Sequence, residues 1–174
     1  MDLVAGLSCD FSPADVFPHI DDLALYPQWM GLVHRATPIE PRAGRPAWDV
    51  ELRARIGPFA RSKRLTMVRR ECIEPSSVVF ERDDQDGRQH SMWRLSAILS
   101  AVSAVSAVSA PAPLAAPAPA PASPEPTADS GTHMEMGLYY SGGLWTGGIV
   151  ERVLLDEINR SRKRLIALIA DSTR

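Results

Sequence analysis

The sequence predicts an α+β fold: a curved antiparallel sheet of six to seven strands wrapped around a long C-terminal helix, with two short helices after the first strand. Three observations predict it. Residues 48–56 alternate strictly, with Trp48, Val50, Leu52, Ala54 and Ile56 on one face and Asp49, Glu51, Arg53 and Arg55 on the other. One face is therefore buried and the other wet, the pattern of an antiparallel sheet. Val150, Leu154, Ile158, Ser161, Leu165 and Leu168 recur at spacings of three and four, a single apolar stripe on a helix from Thr146 to about Asp171. Between the first strand and the rest stands a helix start, Ser12-Pro13-Ala14-Asp15. Ser12 can accept backbone N–H bonds, Pro13 loses nothing at the first helical position, and Asp15 meets the positive helix end.

The elements follow in order. Residues 3–11 alternate and form a strand. Val16, Phe17, Ile20 and Leu23 make the apolar face of the first helix, which Pro18 must shorten or kink because it removes an internal hydrogen bond. Tyr26-Pro27-Gln28-Trp29 opens the second short helix with Pro27 at its first position. After the 48–56 strand, Gly57-Pro58 turns the chain and residues 61–72 form another strand, with Leu65 and Met67 on one face. Glu74-Pro75 turns it again, residues 77–82 form a third, and Asp83-Asp84-Gln85-Asp86-Gly87 is a hairpin loop. Residues 89–99 place Trp93, Leu95, Ala97 and Leu99 on one face, and residues 132–140 align Met134, Met136, Leu138 and Tyr140. In the last helix Glu151 lies near the start and Arg160, Arg162, Lys163 and Arg164 lie in the second half, which suits the helix dipole.

Composition breaks sharply between about residues 96 and 130. Ala-Val-Ser triplets run from Ala101 to Ser109, a Pro/Ala tract follows, and no charge occurs from Leu95 to Pro124. Ala, Ser and Pro are too weakly apolar for a membrane span, so the segment reads as a semi-rigid low-complexity linker. A loop lengthened from about four to about 32 residues costs roughly 2 kcal/mol of closure entropy. Residues 1–174 are therefore expected to form a single domain interrupted at about 100–130.

The chain has 174 residues, 45% of them hydrophobic and 23% charged, enough for one core. A net charge of −2 supplies no global basic field, which argues against nucleic acid as a partner. Cys9 and Cys72 read as free thiols in a reducing compartment. Met1-Asp2-Leu3-Val4 has no basic stretch ahead of an apolar one, so no secretory signal is expected and the expected location is cytoplasmic.

A helix is only about 10 Å wide. Laid across a curved sheet it covers the middle and leaves an apolar, preformed space at one end, the kind of place that small hydrophobic ligands occupy. The aromatic candidates for its wall are Trp29, Trp48, Phe80, Trp93, Tyr140 and Trp145. Leu52, Met67, Met134 and Met136 add adaptable apolar surface, and Val150 and Leu154 would face it from the helix.

The segments Phe11-Ser12-Pro13-Ala14-Asp15-Val16-Phe17 and Asp21-Asp22-Leu23-Ala24-Leu25-Tyr26-Pro27-Gln28-Trp29, with the strand into Gly142-Gly143-Leu144 and the long helix from Thr146, carry a resemblance. The chain resembles the START-like, helix-grip superfamily, in particular bacterial SRPBCC proteins described as polyketide cyclase/dehydrase-like. The resemblance covers essentially everything outside residues 96–131 and implies the helix-grip fold with a ligand cavity. Pro18 and the long insert depart from the pattern.

Other constellations carry less. His133 and Glu135 lie opposite Met134 and Met136 and so face solvent, and no cysteine pair completes a zinc site. His19, Asp21, Asp22 and His34 surround the short helices and read as a solvated rim; His90 is peripheral to a hairpin. The glycine-rich stretch 142–148 lacks the Lys-Ser/Thr of a nucleotide loop and reads as a hinge. Arg61, Lys63, Arg64, Arg69 and Arg70 form a basic run without interleaved aromatics, read as the wet face of a strand. No Gly-x-Ser-x-Gly motif occurs. No catalytic residue, metal or cofactor is assigned. The leading reading is a binding or carrier protein for a lipid-like or aromatic molecule. The alternatives are a cyclase/aromatase-type enzyme and a module that binds a protein partner.

Overall fold

The computed structural model describes residues 2–56, 59–103, 130–141 and 148–173. The chain runs β1 (Asp2–Cys9), α1 (Pro13–Val16), α2 (Tyr26–Trp29), β2 (Val33–Arg42), β3 (Arg45–Ile56), β4 (Phe59–Ile73), β5 (Ser77–Arg82), β6 (Trp93–Ser103), β7 (Ser130–Tyr140) and α3 (Gly148–Ser172), with single 3-10 turns at Phe17–His19 and Leu23–Leu25. The seven strands form one sheet in the order β1-β7-β6-β5-β4-β3-β2, and every neighbouring pair is antiparallel.

Cross-strand register assembles the buried face two residues at a time. Trp48 stands opposite Met67 and Val50 opposite Leu65, while Trp93 pairs with Tyr140, Ala97 with Met136 and Leu99 with Met134. All of these side chains are buried. Leu165 and Ile169 of α3 are buried against this face, and α3 also touches α2. The result is the α+β, helix-grip arrangement.

The capping chemistry is as the residues require. Ser12 Oγ accepts from the Asp15 amide at 3.3 Å, and Asp15 Oδ2 accepts from the Ser12 amide at 3.2 Å, a reciprocal box. Pro18 lies in the 3-10 turn just after α1, so α1 ends after four residues.

Two strands depart most from the sequence expectation. β2 was not foreseen: Pro38 and Pro41 interrupt any alternation there. They are tolerated because β2 is an edge strand with a single partner, β3. β6 continues to Ser103, into the Ala-Val-Ser repeat, and stays in register with β7 as far as the Ser103–Ser130 pair. Backbone pairing needs no apolar period, so the composition break does not mark the end of the strand.

Candidate functional site

An apolar hollow lies between the sheet and α3. Its floor is Val50 and Leu52 of β3, Leu65 and Met67 of β4, Trp93 and Leu95 of β6, and Met136 and Leu138 of β7. Leu23 and the Met30, Leu32 and Val33 segment close one side, and Ile158 of α3 closes the top. Every described side chain lining it is apolar. The centre of a water-sized sphere can move through about 40 Å³ of it, and one water needs about 10 to 15 Å³ on that measure. The hollow is therefore narrow, with room for a few water-sized groups.

The wall formed by the short helices is fastened by polar contacts at its outer side. Asp22 Oδ1 accepts from the Ala24 amide at 2.8 Å and from Trp48 Nε1 at 2.9 Å, joining the 3-10 turn to β3. Arg69 Nη1 reaches Asp21 Oδ2 at 3.3 Å and the Asp21 carbonyl at 3.1 Å. The Tyr26 hydroxyl donates to the Ile20 carbonyl at 2.8 Å, and Trp29 Nε1 donates to the His19 carbonyl at 3.1 Å. Trp29 lies 4.7 Å from the Tyr26 ring, and Trp48 meets Phe80 edge-on at 5.5 Å.

Burial sets the proton affinities here. Complete burial pushes the Tyr26 hydroxyl far above its ordinary value, so it remains a hydrogen-bond donor. Burial also raises Asp21, aided by Asp22 and Glu74, and this outweighs the opposing pull of Arg69. Burial lowers His19 and favours its neutral form. Asp21 and Asp22 are thus part of the frame, where the sequence suggested a solvated rim.

Lys63 corrects the reading of the basic run. It stands directly opposite Leu52 and two residues before Leu65, so it shares the buried face. Its Nζ lies 5.3 Å from the Trp93 ring centre and 5.4 Å from that of Tyr140. Desolvation lowers its proton affinity first; Arg82 adds to this and Asp84 opposes it.

The proposed wall residues distribute as follows. Leu52, Met67, Trp93 and Met136 line the hollow. Trp29 and Met134, again with Met136, border a second, tighter space beneath Ser161 and Leu165. Trp48, Phe80 and Tyr140 are buried beside the hollow without lining it. Trp145 and most of the glycine-rich stretch lie outside the described residues, as do the side chains of Arg61, Val150 and Leu154. Val50, Leu65, Leu95, Leu138 and Ile158 also line the hollow without having been proposed, although each shares a face with a proposed residue. Leu23, Met30 and Leu32 were missed because they lie on the aperiodic short-helix segment, and Val33 because it begins the unforeseen β2. Lys63 was missed because its neighbours in sequence are charged. The alternation of Lys63 with Leu65 and Met67 was the signal that could have found it.

His133 and Glu135 face outward, and His133 Nδ1 lies 3.0 Å from Ser8 Oγ on the outer face. His90 lies against Asp86 at 2.5 Å in the hairpin loop, and His34 is exposed. Among the described residues no group of three or more His, Cys, Asp or Glu could hold a metal ion.

An antiparallel sheet closed by a C-terminal helix over an apolar hollow defines a helix-grip protein. No family model and no curated protein matches the sequence. Solved structures do share the architecture. TTHA0849 from Thermus thermophilus is 12% identical with a TM-score of 0.65, the match covering 100% of both chains. A START superfamily protein from Mycobacterium smegmatis is 13% identical with a TM-score of 0.55, covering 98% of this chain and 97% of that one. The di-domain ARO/CYC BexL from the BE-7585A biosynthetic pathway is 13% identical with a TM-score of 0.55 over 96% of this chain. This chain spans 49% of BexL, about half its length. The chain therefore has the START-like helix-grip fold. Among the described residues no helix is long and apolar enough to cross a membrane.

Proposed function

We propose that the protein binds a hydrophobic small molecule, lipid-like or aromatic, in the hollow between its sheet and α3. The observation that carries this reading is the lining: every described side chain there is apolar, from Leu23 to Ile158. Burying a ligand's apolar surface against them contributes about 25 cal/mol per Å². The narrowness of the space limits the resting state to slender ligands. Bulkier ones require α3 to lift, and among the described residues its closer contacts with the sheet run to β1 and β3.

A cyclase-type reaction is the second reading, and the likeness to the ARO/CYC di-domain favours it. Such a reaction needs a group that moves a proton at the ligand. No titratable side chain lines the hollow among the described residues, which supports binding over turnover.

The test uses the full chain. Purified protein is denatured, and the released small molecules are identified by mass spectrometry. The stripped protein is then titrated calorimetrically with 1-octanol. A retained apolar molecule, or octanol binding that is lost in Val50→Trp, is the expected result. Overpacking at Val50 costs about 1 to 3 kcal/mol, so circular dichroism confirms that the variant is folded. A folded protein that retains nothing and ignores octanol would overturn the reading.

A further inference from the structure

We propose that Lys63 anchors the anionic head of the bound molecule, so that the ligand is an apolar monocarboxylate whose tail fills the hollow. This inference rests on the proposed apolar binding and names the class of ligand.

Position comes first. Lys63 belongs to the buried face of β4, opposite Leu52 and in line with Leu65 and Met67, three residues that line the hollow. Its ammonium lies 5.3 Å from the ring centre of Trp93, which also lines the hollow, and 5.4 Å from that of Tyr140. The cation therefore packs against Trp93, a residue of the hollow's lining, and the Trp93 and Tyr140 rings attract it there.

Partnership comes second. Among the described residues no carboxylate forms an ion pair with Lys63. Asp84 is the acid whose field it feels, and Asp84 is already engaged by Arg82 and by the Thr66 amide, the latter at 2.7 Å. Arg82 adds positive charge beside it. Ring faces attract a cation, but they offer no acceptor for the three N–H donors of an ammonium. A carboxylate supplies what is missing, in charge-assisted hydrogen bonds about twice as strong as neutral ones.

A structural alternative exists. The lysine stem can cover the two rings with its head turned toward water. The two roles differ in one respect: only an anchor distinguishes an anion from a neutral molecule with the same tail. Octanoate and 1-octanol form that pair of probes. They are titrated at neutral pH and at two salt concentrations into the wild type, Lys63→Met and Lys63→Arg. The wild type should bind octanoate at least about tenfold more tightly than octanol, a preference that added salt weakens. Lys63→Met should lose the preference while still binding octanol, which also shows that its hollow is intact. Lys63→Arg should keep most of it. Equal binding of the two probes by the wild type, or a preference that survives in Lys63→Met, would overturn the anchor and leave the hollow as a binding site. Binding of neither probe would remove the hollow itself.

Discussion

Trp48 Nε1 donates to Asp22 Oδ1 at 2.9 Å, tying a buried tryptophan of the sheet to the 3-10 turn before α2. The same oxygen accepts from the Ala24 amide. One carboxylate thus caps the turn and fixes the short-helix wall of the hollow to β3.

Asp22→Ala removes both bonds and strands the indole N–H of a residue that is only 4% exposed. A lost cap and an unsatisfied buried donor together should cost about 1 to 3 kcal/mol. Urea unfolding measures it. Asp22→Asn keeps an acceptor oxygen and should recover most of the loss; an Ala variant as stable as the wild type would show that the clamp carries no weight.

Tyr26→Phe tests the neighbouring bond. The hydroxyl is fully buried and donates to the Ile20 carbonyl at 2.8 Å, so its removal leaves an acceptor without a partner inside the protein. A loss of about 1 to 3 kcal/mol is expected. Amide exchange should quicken across residues 20–26 before it does in β3 and β4.

Replacing residues 104–129 by an Asn-Gly turn should leave the sheet intact, because Ser103 and Ser130 already stand side by side. Shortening a connection of about 26 residues to about two should favour folding by roughly 2 kcal/mol in closure entropy. A cooperative thermal transition at equal or higher temperature is the expected readout. Its disappearance would make the segment part of the folding unit.

Lys63 makes a prediction about pH. Its proton affinity is lowered by folding, so the unfolded chain binds the extra proton between the folded value and the ordinary 10.5. Unfolding free energy from this group therefore rises with pH across that window, and the charge opposes folding at neutral pH. Lys63→Met should be at least as stable as the wild type at neutral pH, and the two should converge as pH approaches 10.5. Thermal melts over that range check the sign; a variant clearly less stable at neutral pH would show that the cation–ring contacts outweigh desolvation.

Much of the frame was legible in the residues. Ser12 and Asp15 declared a helix start, the alternation from Trp48 declared a half-buried strand, and the stripe through Leu165 declared the helix that closes the sheet. The reading weakened where local pattern and tertiary role part company. Residues 33–42 carry two prolines and little alternation, so only pairing with β3 makes them a strand. The Ala-Val-Ser triplets have no period of two, yet the backbone of β7 extends β6 through the first of them, to Ser103. For the hollow, Leu52, Met67, Trp93 and Met136 were proposed and parity puts Val50, Leu65, Leu95 and Leu138 on the same faces, whereas Met30 and Leu32 come from a connection whose packing no spacing rule announces. Lys63 was hidden by charge, since Arg61, Arg64, Arg69 and Arg70 surround it in sequence.

The sheet is open, and its two borders are guarded unequally. On the β2 side Pro38 and Pro41 have no amide hydrogen to offer, which blunts recruitment of a foreign strand. The β1 side has no proline, and there the Arg162 guanidinium occupies the Ser8 carbonyl at 2.9 Å. In a crowded solution an intruding strand would find its template along β1, and the grip of Arg162 is the lock it must first displace.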